Sequence, residues 1–403
     1  MQSRSLHPQA WVVLVLAALF NASEALCSVF VSVYLWINSH DFNTVCLHFL
    51  TLYIVTPVFF VLAGWYSQVR DRLHAYRAGL LLHTVFYATL LLMRESSGQH
   101  VVALGVLRGV AWGVFYAGNN TINYDVSTQG KVEYFIGLFQ AISGASALIA
   151  PLISGFIIQT APTALTGYHI VFGLVVALYV ISFGLSFFMF SDKQQRPFHF
   201  FRAMFPGKEL RDWRLFLIAS FSMAGTFNIF DFVLGLLMYM RTGSELQVGG
   251  FVSYQTLAGI TASFILARVI VPRTRRRYLF WGMIALVIGG AVISTQLTVV
   301  TLIAFGFLRS VSGSMFGIAH FGLRMDVIRR ALRDPAERIE FICAWEIPLA
   351  LGRLVTMTTI MTLWAYGAEA GLRLAFFLLC AARIGTYLLM TQTTALRESE
   401  TAA

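Results

Sequence analysis

Residues 105–126 read GVLRGVAWGVFYAGNNTINYDV, and residues 306–327 read GFLRSVSGSMFGIAHFGLRMDV. At an offset of 306 − 105 = 201, without a gap, Gly105/Gly306, Leu107/Leu308, Arg108/Arg309, Val110/Val311, Phe115/Phe316, Asp125/Asp326 and Val126/Val327 are identical. Apolar matches arise easily by chance in an apolar chain. An Arg inside the apolar run and an Asp just past its end do not. Other pieces repeat in the same order. Phe20-Asn21-Ala22-Ser23-Glu24 answers to Phe227-Asn228-Ile229-Phe230-Asp231, each an Asn with an acid three residues on. Arg70-x-Arg72 with Gly79 answers to Arg273-x-Arg275 with Gly282, and Lys131-Val132-Glu133-Tyr134 to Arg338-Ile339-Glu340-Phe341. Features in one order in both halves indicate parallel repeats related by an axis along a membrane normal, with a cavity expected between them.

The membrane reading comes from composition. Of 403 residues, 58% are hydrophobic and 12% charged, where a soluble domain carries about 25% charged residues. That excludes an ordinary soluble enzyme, a disulfide scaffold and a disordered chain. Hydropathy predicts twelve spans: 10–36, 45–65, 78–93, 101–118, 135–158, 169–190, 215–240, 247–267, 279–295, 297–321, 341–364 and 372–390. The expected fold is thus all-α and integral to the membrane, with two pseudo-symmetric six-helix bundles at 1–190 and 215–403. Between them lies the polar segment 191–214, whose mix of Phe and Lys/Arg suits either an amphipathic stretch on the inner leaflet or a plain linker. The first apolar run is too long for a signal-peptide core and is read as a retained span.

With both termini placed in the cytoplasm, inside segments hold 22 of the 29 Lys and Arg, outside loops hold Arg94, Arg241 and Arg373, and spans hold Arg108, Arg309, Arg353 and Arg383. The bias sets the orientation by the positive-inside rule. It also accounts for the net charge of +10 without nucleic acid. The expected location is the cell (inner or plasma) membrane. The four Cys and nine His are scattered. No paired Cys, haem or metal spacing, phosphate loop or nucleophile elbow occurs, so neither a cofactor nor an enzyme is expected.

On these features the chain resembles the major facilitator superfamily of secondary transporters. In that family's loop 2–3 signature, counted from Gly64, Gln68 stands where the Asp should be; Asp71-Arg72 has the right dipeptide seven residues after the Gly, and His74 replaces the second Gly. The span-four signature is similar to Leu104-x-x-x-Arg108 followed by Gly109 and Gly113. The span-five signature of its drug/proton antiporter branches is similar to Ser146-Ala-Leu-Ile-Ala150-Pro151-Leu-Ile-Ser154-Gly155, with small residues at several Gly positions. The resemblance implies that spans one, four, seven and ten line a cavity. Asp71, Arg72, Ala150, Pro151 and Gly155 would then serve conformational change.

A charge near the bilayer centre costs roughly 3 kcal/mol, so intramembrane ions normally face partners or water. Glu24 lies near mid-depth, on one helix face with Asn21. An acid in such a cavity can load and release a proton as its surroundings change. Glu24, Asp231 and Arg108 are the candidate proton-coupling residues. Asn21, Asn228, Arg309 and Glu346 are the candidate substrate ligands. Each has a plainer reading as a static packing group, and Glu346, Arg353 and Arg383 fit that reading best. The expected function is proton-coupled export of an amphipathic or cationic small molecule, by a chain that holds both repeats and could act as a monomer in the lipid bilayer. The alternatives are an anion or lipid/glycolipid transporter that uses Arg108 and Arg309, and a non-transporting sensor on the same fold.

Overall fold

The computed structural model describes residues 8–128, 132–190, 197–226, 229–334 and 337–401, and every regular element among them is helical. Helices satisfy all their backbone hydrogen bonds within one segment, as a lipid-exposed chain must. Nine stretches of the described residues are long and apolar enough to cross a membrane. Two of them, Phe42–Gln99 and Arg338–Met390, run for 58 and 53 residues and contain breaks, so each provides two crossings. Together with Glu245–Leu266, a helix diluted by Gln, Ser and Thr, the count reaches twelve, 9 + 2 + 1.

The chain forms two compact units, Met1–Phe198 with Ser244–Ser253, and His199–Gly243 with Tyr254–Ala403. In the first, α1 (Pro8–Cys27) and α2 (Phe30–Ser39) share the first span, broken at Ser28-Val29. Then follow α3 (Phe42–Tyr66), α4 (Arg72–Met93), α5 (Val101–Thr128), α6 (Val132–Thr160) and α7 (Ala164–Leu185). Ile54, Val58 and Leu62, four residues apart on α3, are about half exposed. Such apolar stripes face outward in a protein whose solvent is lipid. On the other side of α3 lie Gly105, Gly109 and Gly113 of α5. A Cβ on Gly105 would stand 2.6 Å from the His48 carbonyl oxygen, and one on Gly113 2.6 Å from that of Thr56. The span-four glycines therefore let two backbones touch.

In the second unit, the seventh span carries α9 (Arg211–Met223) and α10 (Ile229–Thr242), preceded by the short α8 (Phe200–Met204). After them come α11 (Glu245–Leu266), α12 (Arg275–Thr295), α13 (Val299–Ala331), α14 (Arg338–Ala381), α15 (Arg383–Met390) and α16 (Thr394–Thr401). Gly367 and Ala368 leave helical geometry inside α14, with φ of 42° at Ala368. That turn separates spans eleven and twelve. Trp213, Phe216 and Phe341 pack in a buried core with Leu396 of α16, and Asp212 caps α16 by accepting from the Thr394 and Ala395 amides at 2.9 and 2.8 Å. Exposed Phe201 and Phe205 flank buried Ala203 on and beside α8, the two-sided character expected of an amphipathic stretch.

One crossing is repeated in both units. Gly79 of α4 lies against Phe115 of α5, where a Cβ would come within 2.6 Å of the Phe115 Cβ. Gly282 of α12 lies against Phe316 of α13, where the same addition would stand 3.0 Å from the Phe316 nitrogen. These are partners at matching places in the sequence repeat. The first turns of α11 cluster with the N-terminal unit. There Gly249 lies against the Pro151 carbonyl, and a Cβ on Gly155 would stand 2.6 Å from that of Glu245.

Candidate functional site

Glu24 lies in the last turn of α1, just before the break in the first span. Its Oε1 accepts a hydrogen bond from the Tyr179 hydroxyl of α7 at 2.6 Å, and the Tyr87 hydroxyl of α4 stands 3.5 Å away. His83 Nε2, one turn before Tyr87, is 3.9 Å from the same oxygen. The His83 Nδ1 lies 2.8 Å from the Gly79 carbonyl. A carbonyl only accepts, so Nδ1 carries a hydrogen and Nε2 is the ring atom turned toward Glu24. Among the described residues no guanidinium lies within ion-pair distance of Glu24.

Arg108 is 2% exposed, within electrostatic reach of Glu24. It is caged by rings: its guanidinium carbon is 5.4 Å from the Phe86 centroid, 5.5 Å from Trp112 and 5.9 Å from Phe49. Its Nε and Nη1 are buried without a hydrogen-bond partner. Cation–π attraction offsets part of the desolvation. Asn21 turns to α6, donating from Nδ2 to Ser143 Oγ at 2.9 Å.

The second unit treats its matching residues differently. Asp231, in the first turn of α10, accepts directly from Arg309 Nη2 at 2.6 Å, and Gln255 Oε1 takes Nη1 at 3.2 Å. Both ions border a cavity of about 420 Å³ lined by residues of this unit. One face of α13 supplies much of its wall, with Arg309, Gly313, Phe316, His320 and Arg324 spaced by three or four residues. Arg383 of α15 and Trp345 of α14 complete the charged and aromatic lining.

The other residues named from sequence are placed as follows. Asn228 lies outside the described residues. Glu346 pairs with Arg353 two turns along α14 at 2.6 Å, and it is not among the residues bordering the cavity. Asp71 caps α4, accepting from the Leu73 amide at 2.9 Å, and Arg72 begins that helix. Ala150 is buried, and Pro151 and Gly155 lie at the α6–α11 crossing. No group of three or more His, Cys, Asp and Glu among the described residues could hold a metal ion.

Sequence reasoning missed Tyr87, Tyr179 and the role of His83, and at the cavity Arg324, His320 and Trp345, and it read Arg383 as a packing charge. For the α13 residues a signal existed. Hydropathy ends that span at 321 and puts Arg324 in a loop, but the three-to-four periodicity from Arg309 runs on, and the helix continues to Ala331. The tyrosines carry no such mark, since a Tyr in an apolar run reads as packing.

Twelve helical spans in two repeated halves, with ionisable groups turned inward in each, define a polytopic membrane transport protein rather than an enzyme. The chain belongs to the Major Facilitator Superfamily, whose family model matches residues 10–338. It is 26% identical over 346 residues to the uncharacterized protein YqgE of Bacillus subtilis (strain 168), covering 85% of this chain and 80% of that one. Among solved structures it is similar to a bacterial homologue of the iron transporter ferroportin in an inward-facing state, with TM-score 0.72, 14% identity and 96% and 99% of the two chains covered. It is also similar to the nucleoside transporter NupG, with TM-score 0.71, 11% identity and 96% and 100% covered. At those identities the structural likeness establishes the fold alone.

Proposed function

We propose that the protein is a proton-coupled secondary transporter in which Glu24 carries the proton. The observation behind this reading is the setting of Glu24. Its carboxylate is held by phenols that can hydrogen-bond it charged or neutral, faces His83 Nε2, and is not locked to a guanidinium. A proton can therefore come and go without breaking an ion pair. Arg108 is the mobile counter-charge: its approach favours the carboxylate, and its withdrawal favours the protonated acid. Asp231, already tied to Arg309, is the second and weaker candidate.

The direction is read as outward, exchanging cargo for protons, on the small-residue and Pro pattern of Ala150, Pro151 and Gly155. The cargo is read as anionic rather than cationic, because three guanidinium groups and one carboxylate border the cavity of the second unit. Anion exit and proton entry would both run with an inside-negative potential, worth about 2.3 kcal/mol per charge per 100 mV. The chain would act as a monomer in the plasma or inner membrane, with both termini in the cytoplasm.

The test uses proteoliposomes loaded with the pH dye pyranine. They are challenged with phenylacetate, phenethylammonium, a nucleoside and an iron(II) salt. At least one member should move protons, Glu24→Gln should stop that movement, and Asp231→Asn should retain much of it. Proton movement in Glu24→Gln equal to that of the unaltered protein, or no movement with any compound, overturns the reading.

A further inference from the structure

We infer that the cavity in the second unit is a binding site for a small organic anion with an aromatic or similarly flat apolar body, gripped by Arg324 and Arg383. The inference deepens the transport reading and rests on it only for the ligand's meaning as cargo; binding itself can be measured without transport.

The charges of the cavity do not cancel. Arg309 is neutralised by Asp231. Among the described residues neither Arg324 nor Arg383 has a carboxylate partner. Each is held instead against aromatic carbon. The Arg324 guanidinium carbon is 4.2 Å from the Trp345 centroid and 5.1 Å from that of Phe321. That of Arg383 is 4.5 Å from Phe316, and its Nη2 also donates to Thr226 Oγ1. A guanidinium lying on a ring keeps its in-plane N–H edge available. That edge is the fork that matches a carboxylate in two parallel hydrogen bonds.

The rings are fixed rather than loose. Trp345 donates from Nε1 to Ser220 Oγ at 2.8 Å, so the surface that carries Arg324 cannot swing away freely. His320, 6% exposed, is stacked on Phe216 with centroids 5.0 Å apart, and its Nε2 is buried without a partner. Among the described residues it adds a polar atom without a hydrogen-bond partner to a lining with two cations that no carboxylate neutralises. A buried unsatisfied polar atom and unpaired charge are costly unless a ligand completes them. The volume, about 420 Å³, falls in the lower range of small-molecule sites. The lining combines aromatic faces with a few convergent polar groups, which selects a flat apolar body carrying a carboxylate. Bare inorganic ions would leave the aromatic walls unused, and cations would meet two uncompensated positive charges.

The test is equilibrium dialysis of radiolabelled phenylacetate against the purified full chain in detergent, with protein-free micelles as the blank. Phenylacetamide and phenethylammonium, of similar shape but neutral and positive, serve as competitors, as does dioleoyl phosphatidylglycerol. Saturable binding that neither the amide nor the amine displaces is expected. Arg324→Gln and Arg383→Gln should each weaken it about tenfold or more, the scale of a lost charge-assisted hydrogen bond. Arg241→Gln, whose side chain pairs with Glu369, should leave it unchanged. Asp231→Asn should strengthen it, because it frees Arg309, and this gain does not depend on the Gln variants folding. Absence of saturable binding, displacement by the amine, or no change in either the Gln variants or Asp231→Asn overturns the proposal. Displacement by phosphatidylglycerol in preference to phenylacetate also overturns it, and assigns the site to a lipid headgroup. Failure here with proton movement intact in proteoliposomes defeats only this assignment. Binding here with no proton movement defeats only the coupled-transport reading.

Discussion

The N-terminal unit keeps its acid and its arginine apart, whereas the C-terminal unit joins them. Arg108 and Arg309 occupy matching places in the repeat. Arg108 is walled in by Phe49, Phe86 and Trp112, while Arg309 meets Asp231 at 2.6 Å. The two copies of the repeat thus hold an acid without a guanidinium partner among the described residues in one half and a closed ion pair in the other. Its cavity has two further arginines, Arg324 and Arg383, without a carboxylate partner among the described residues.

The harshest way to break this comparison is Arg108→Met. If the buried guanidinium serves the proton site and not the fold, an apolar replacement of similar length should leave thermal stability equal or higher. Proton movement in proteoliposomes should nevertheless fall by about a hundredfold, the loss expected when about 2.7 kcal/mol of charge stabilisation goes. A large drop in melting temperature would mark Arg108 as structural.

A smaller effect separates the two copies of the shared crossing. Gly79→Ala drives a methyl into the backbone of Phe115, while Gly282→Ala meets Phe316 at 3.0 Å or more. The first should destabilise by about 2 kcal/mol, within the overpacking range, and the second by about half of that or less. Thermal unfolding of the two variants side by side checks it. Equal effects would mean that the repeat packs alike in both halves.

The smallest effect belongs to the C-terminal unit alone. Arg202, on α8, holds Glu337 at 2.5 Å. Burial pushes the Glu337 carboxyl up, but the Arg333 amide, the Arg202 side chain and the charges of both arginines together bring it below its ordinary value. The tether therefore contributes fully above the usual carboxylate range, about pH 4.3, and is lost as pH falls through the lower folded value. Hydrogen exchange of Phe200–Met204 should rise over that acid window. In Glu337→Gln it should already be raised at pH 7 and should not respond to acid.

Much of the architecture could be read before any coordinates. Apolar runs of about 20 residues mark spans because the bilayer sets their length, and the matched pairs Arg108/Arg309 and Gly79/Gly282 revealed the duplication. The break after α1 in the first span could not be read, because hydropathy sums over a window and is blind to a two-residue turn. The length of α13 was misjudged for the same reason: Arg324 lowers the average, although the helix carries on beneath it.

From its sequence alone the chain had to be a duplicated twelve-span membrane protein with acids and arginines at matching depths, since burying backbone in lipid leaves little choice of form. Only the tertiary structure decided what those charges do. Tyr179, Tyr87 and His83 reach Glu24 from other helices, and Trp345 and Phe316 hold the arginines of the cavity. Nothing in the spacing along one helix specifies which side chain a neighbouring helix will place opposite. That partner decides whether a charge is closed off or left open to a proton or a ligand.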